Sequence, residues 1–187
     1  MLKQNGFSLF EMLLSISISS LIFIGTSTFY SKLQSALLQQ NLNIHLQKNI
    51  HQGVASIAKD LKRAGFIANQ PEKMKKLAIE INTLANCYIL RYDSEIRNDW
   101  VYDRLNPTNS DIFVYRFYKN NLEYKVGAAS CEGSNWEKIF DPNDIKITQF
   151  SVKQQSNHFE VAINAELKNN NKIKYQTVTI IKNENPF

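Results

Sequence analysis

Gly6-Phe7-Ser8-Leu9-Phe10-Glu11, continued by Met12-Leu13-Leu14-Ser15-Ile16-Ser17-Ile18-Ser19-Ser20-Leu21-Ile22-Phe23-Ile24, is the stretch on which the reading of the whole chain turns. Between Phe7 and Ile24 only Glu11 is charged, whereas charged residues recur throughout the chain after Lys32, so the composition breaks near Tyr30. The six residues ahead of the run, Met1 to Gly6, are short, polar and positive at Lys3. A positive end before an apolar run stays on the cytoplasmic side, which predicts export of everything that follows. A removable secretory signal, a plain membrane anchor and a helix with a further task all fit this much. Glu11 separates them: a carboxylate near the start of an apolar helix costs about 2–3 kcal/mol to insert, and neither a signal nor an inert anchor gains from it.

Outward from that segment, 187 residues with 43% apolar and 11% aromatic content suffice for one globular domain with a real core. A formal net charge of +5 is mildly basic, which permits an anionic partner without demanding one. Both cysteines, Cys87 and Cys131, fall on the side predicted to be exported, and an even count there favours a disulfide over two buried free thiols. Closing that loop stabilises a fold by about 4 kcal/mol in the chain-entropy treatment.

From Leu33 the pattern turns amphipathic. Leu46, Ile50, Val54, Ile57, Leu61 and Ala64 recur at helical spacing, while Gln47, His51, Gln52, Lys59, Lys62 and Arg63 fall on the other side. Gly65 is a natural terminator, and Gly53 within the pattern points to close packing or a slight bend. Beyond Pro71 come short runs rich in Ile, Val, Tyr and Phe, read as strands at Leu77–Ile81, Cys87–Tyr92, Asp111–Tyr118, Leu122–Val126, Ile145–Lys153, Phe159–Leu167 and Ile173–Ile181. Asn120-Asn121, Ser156-Asn157 and Asn169–Asn171 are placed as hairpin turns, because Asn tolerates positive φ. A helical stem followed by a mainly antiparallel sheet is an α+β layout. The expected division is a leader at 1–6, an apolar membrane or filament-core helix at 7–30, an amphipathic helix at 31–66 and a β-rich head at 67–187.

The other candidate sites are weak. Asp93, Glu95 and Asp99 alternate like calcium ligands, but Arg97 stands where a third oxygen is wanted and Asn98 where the turn needs glycine, so a solvated acidic turn is the better reading. His45, His51, His158 and the two cysteines lack zinc-ligand spacing. Lys73, Lys75 and Lys76, and again Lys168, Lys172 and Lys174, form basic patches able to meet phosphates, though solvated loops carry such clusters more often. Trp100, Tyr102, Tyr115, Phe117 and Tyr124 fit core positions better than stacking platforms for bases. No nucleophile elbow, Cys–His motif or phosphate-binding glycine loop is present in the sequence, so no enzyme and no cofactor are expected.

Glycine, then phenylalanine, then glutamate four residues further on, behind a short basic leader and ahead of a long apolar run, resembles the class III signal of type IV prepilins. The resemblance implies cleavage by prepilin peptidase between Gly6 and Phe7, N-methylation of the new Phe7 amine, and a role for Glu11 in assembly as partner of a neighbouring subunit's Phe7 amine. It also implies the pilin fold, with the protein held in the inner membrane, its N-terminus cytoplasmic and its head periplasmic, before it joins a pilus or pseudopilus. Many major pilins carry a helix-bending proline in the stem, which is absent before Pro71 here, where Gly25, Thr26, Ser27 and Thr28 are the nearest weak point. Arg63-Ala64-Gly65-Phe66, Cys87-Tyr88-Ile89-Leu90-Arg91-Tyr92-Asp93, Ser130-Cys131-Glu132-Gly133, Trp136 and Asp141-Pro142 together resemble the prepilin-peptidase-dependent protein B group of W-type minor pilins, related to J-type pseudopilins. Priming or tipping a type IV pilus, with other minor and major pilins as partners, is the expected function. A type II secretion pseudopilin and a DNA-binding minor pilin of a competence pilus are the alternatives.

Overall fold

The computed structural model describes residues 8–67, 77–93, 105, 111–128, 130–156 and 158–185. Gly6, Phe7, Lys73, Lys75, Lys76, Glu95, Asp99, Trp100, Tyr102 and Asn157 lie outside these residues. The chain divides into two compact units, Met1–Leu42 and Asn43–Phe187, with one helix, α1 (Leu9–Arg63), contributing to both.

In the first unit every described side chain of the apolar stretch is exposed, Leu9, Phe10, Leu21 and Phe23 prominently so. Such a surface has no place in water, and the segment is long and apolar enough to cross a membrane. Its hydroxyls do not contradict this. Ser15 donates to the carbonyl of Glu11 at 2.8 Å, Ser17 to Leu13 at 2.8 Å, Thr26 to Ile22 at 2.9 Å and Thr28 to Ile24 at 3.1 Å. A polar group satisfied by its own helix can enter lipid without an orphaned donor.

In the second unit the predicted stripe is buried: Leu46, Ile50, Val54, Ile57, Leu61 and Ala64 are each at most 4% exposed. Each large member is worth about 1.5–3 kcal/mol of burial. Gly53 and Asp60 share the buried face. The helix ends where expected: Gly65 sits at φ 86°, in the left-handed region that glycine enters without a Cβ penalty, and Asn185 Nδ2 donates to the last-turn carbonyls of Lys62 and Arg63 at 3.2 and 3.3 Å.

The strands are β1 (Ile79–Asn82), β2 (Cys87–Arg91), β3 (Ile112–Tyr118), β4 (Asn121–Val126), β5 (Glu137–Lys138), β6 (Ile145–Gln154), β7 (His158–Leu167) and β8 (Asn170–Lys182). All pair antiparallel, in two sheets rather than one: β1-β2-β3-β4-β5 and β6-β7-β8. The seven strands read from the sequence are all present within a few residues of their expected ends. β5 was not foreseen, since two charged residues carry no strand pattern. Two turns also move. The β3–β4 turn is Lys119-Asn120, both at positive φ (46° and 60°) with Tyr118 opposite Asn121, the type I′ pattern, so Asn121 belongs to the strand. The β7–β8 turn is Lys168-Asn169, with Leu167 opposite Asn170, which starts β8 earlier than Ile173.

Both faces of the first sheet are covered at β2 and β3. On one side Tyr92 stacks on Phe113 at 4.5 Å, and the hydroxyls of Tyr92 and Tyr115 reach Asp60 of α1. On the other, Cys87, Ile89, Ile112, Val114 and Ala128 form a small core closed by Cys131 and Trp136. The sheets are joined by Ile147 N–H donating to Asn120 O at 2.9 Å and by Val152 N–H donating to the buried Tyr88 hydroxyl at 3.1 Å.

Candidate functional site

The start of α1 is held by Glu11 itself. The backbone N–H of Ser8 donates to Glu11 Oε2 at 2.9 Å, and Met12 N–H donates to Ser8 O at 3.2 Å. Ser8-Leu9-Phe10-Glu11 thus supplies the carboxylate half of a capping box, which stabilises the first turn by satisfying one orphan donor and by placing negative charge at the positive end of the helix dipole. The Ser8-x-x-Glu11 spacing is the sequence signal for this turn, beyond the glutamate alone. Gly6 and Phe7 lie outside the described residues, and the geometry of the expected cleavage site is not described with them.

In the head, the motifs that were quoted separately meet. Gly65 N–H donates to Arg91 O at 2.9 Å and Asp93 N–H to Phe66 O at 2.9 Å, so Arg63-Ala64-Gly65-Phe66 docks on the end of Cys87–Asp93. Along that second motif nearly every residue has a task. Cys87 is bonded to Cys131, with Cα atoms 6.0 Å apart, tying β2 to the segment after β4. Tyr88 bridges to the other sheet, the Arg91 guanidinium holds Leu77 O at 2.7 Å and Glu80 at 3.0 Å, and Tyr92 reaches Asp60. The Arg116 guanidinium carbon lies over the Trp136 ring, 3.9 Å from its centre, while Arg116 pairs with Glu123 at 2.7 Å and donates to Cys131 O at 3.1 Å. Asp141 accepts from Asn143 N–H at 2.8 Å and starts the turn into β6, which explains the Asp-Pro pair.

Asp60 is the buried polar group that the periodic reading did not single out. It is 6% exposed and accepts from Tyr115 Oη at 2.6 Å and Tyr92 Oη at 2.9 Å. Burial pushes its pKa above 3.8, partly offset by those two hydroxyls. The tyrosines are pushed up in turn, by burial first and by the Asp60 charge second. The signal was a lone acid between Ile57 and Leu61 on the apolar stripe.

Other candidates resolve simply. Asp93 is buried at the end of β2, while Glu95 and Asp99 are outside the described residues. Lys168 donates to Pro142 O at 3.2 Å and Lys174 lies 3.7 Å from Glu166, so that basic patch is partly spent on internal contacts. Tyr115 is buried, and Phe117 and Tyr124 are half-buried.

The family model for prepilin peptidase-dependent protein B matches residues 39–183, and the prokaryotic N-terminal methylation motif matches residues 1–27. Prepilin peptidase-dependent protein B of Escherichia coli (strain K12) is 32% identical over 177 residues, covering 94% of this chain and 92% of its own length. No solved structure matches the chain. Its helical stem, its antiparallel head and these matches agree: the chain belongs to the prepilin peptidase-dependent protein B family.

Proposed function

We propose that the chain is a structural subunit, a minor pilin. Prepilin peptidase cuts it between Gly6 and Phe7, the new Phe7 amine is methylated, and the inner membrane holds it by its stem, N-terminus cytoplasmic and disulfide-bonded head periplasmic. It then enters a type IV pilus, where it primes or tips assembly with other minor and major pilins. The observation that carries this reading is an uncovered apolar helix whose first turn bears one acid, Glu11, followed by a separately packed head. Glu11 already serves its own helix through Ser8 N–H, which makes it tolerable in the membrane-held precursor. In a filament a neighbour's Phe7 amine supplies the opposite charge that a carboxylate in a low-dielectric setting needs.

Glu11→Ala separates the two uses. Cleavage and insertion survive, because removing a charge eases insertion. Recovery of the processed protein with sheared pili or with partner pilins falls, since stripping a buried charge of its partner costs about 3–5 kcal/mol. Equal recovery of variant and wild type overturns the assembly role of Glu11.

A further inference from the structure

Among the described residues the head has four sheet edges, of which three carry the protections that prevent strand addition and one does not. β1 is four residues long with exposed Glu80, and β5 has two residues, both charged. β6 has a register irregularity between Ile147 and Gln149, carries Lys146 and Lys153, and is hydrogen-bonded to Asn120 in both directions, at 2.9 and 3.3 Å. β8 is different. It runs thirteen residues, pairs only with β7 among the described residues, and from Tyr175 to Ile181 has no charge. On its outward face Val178 and Ile180 are 61% and 70% exposed. A long edge with apolar side chains and no central charge is a template for another strand.

The occupant is constrained by the fold. Tyr175 contacts His51 of α1 at 2.9 Å, and Asn185 past the end of β8 contacts Lys62 and Arg63, so β8 and the head portion of α1 run in the same sense. Antiparallel pairing of two β8 strands is symmetric about an axis perpendicular to the sheet, and that rotation reverses α1 in the partner. In-register pairing of two β8 strands, in either sense, also sets the lysines at the ends of one copy beside those of the other, and like charges facing each other across a strand pair destabilise it. A second copy therefore does not fit. Lys172 at one end of β8 and Lys182 at the other select a partner strand with acidic flanks, because opposite charges facing each other across a strand pair stabilise it and like charges oppose it.

We infer that β8 is an interaction edge which accepts a strand from a different membrane-stemmed subunit, an uncharged run with alternate apolar residues and acidic ends. This rests on the pilin reading, because it takes the partner to share the membrane. The test places a photoreactive amino acid at Val178, Ile180 or, as control, Ser151 of the full-length protein in cells that make its whole assembly machinery. Cross-links form at 178 and 180 and not at 151, to a strand of another protein bearing its own Gly-Phe start and apolar stem. In the Val178→Lys/Ile180→Lys double variant probed from Thr179, the cross-linked fraction drops about tenfold, while Val178→Thr/Ile180→Thr, which keeps backbone pairing, retains most of it. Thermal unfolding of both variants checks that the head is intact. No cross-link, a cross-link to a second copy, or one to a protein without a stem overturns the inference. Mass analysis of Phe7 in the same cells keeps it separate from the pilin reading: processing without cross-links sinks the edge and leaves the pilin standing.

Discussion

Gly53→Ala sets two effects of known sign against each other. Helix propensity favours alanine by about 1 kcal/mol in the middle of a helix. Against it, a Cβ at position 53 runs into the Phe140 ring, coming within 2.7 Å of Cε1, and lies 3.3 Å from Ile139 Cγ2. Phe140 is 4% exposed, and its carbonyl accepts from the buried Asn121 Nδ2 at 2.9 Å, so its backbone is held and the ring must shift to admit the methyl group. Overpacking a fitted core costs about 1–3 kcal/mol, and the clash with two ring atoms puts this site near the upper end. The net expectation is destabilisation of about 1–2 kcal/mol, or a Tm lower by roughly 2–8 °C for a chain of this size. Thermal unfolding of detergent-solubilised full-length protein by circular dichroism reads it. Gly25→Ala is the control: nothing lies within 4 Å of its Cβ, and the Tm of the head should not move. A rise in Tm for Gly53→Ala would refute the packing argument, since propensity would then have won.

Two further outcomes follow from the head. Replacing Cys87 and Cys131 together by serine lowers stability by about 4 kcal/mol, read by denaturant unfolding, and an unchanged midpoint contradicts the bridge. Asp60 has its pKa raised in the folded state, so the native head holds that proton above pH 3.8 where the unfolded chain has lost it. Wild-type stability relative to Asp60→Asn therefore declines as pH rises through that window, and a constant difference between the two contradicts the burial.

The stem was legible as an unbroken apolar run, and the buried stripe of α1 because it is periodic: six positions from Leu46 to Ala64 had one arrangement compatible with water on the other side. The strands were legible for the same reason, by alternation and by the polar turns between them. What escaped was set by contacts between distant segments. Asp60 reads as a misplaced charge until the hydroxyls of Tyr92, just past β2, and Tyr115 of β3 donate to it. How the two sheets meet depends on Asn120 and Tyr88 reaching β6, and β5 exists only because Glu137 and Lys138 lie beside Tyr124 and Glu123. The Arg63–Phe66 and Cys87–Asp93 motifs were noticed as strings, and only the fold shows that one docks on the other.

The central claim, a prepilin whose mature chain begins at Phe7, is tested most directly by mass spectrometry of the protein recovered from cells with an intact prepilin peptidase. The account predicts a mature N-terminus at Phe7 carrying one added methyl group, and full-length precursor when Gly6 is replaced by a bulkier residue. A mature chain that starts at any other residue, or an uncut chain in the presence of the peptidase, contradicts it.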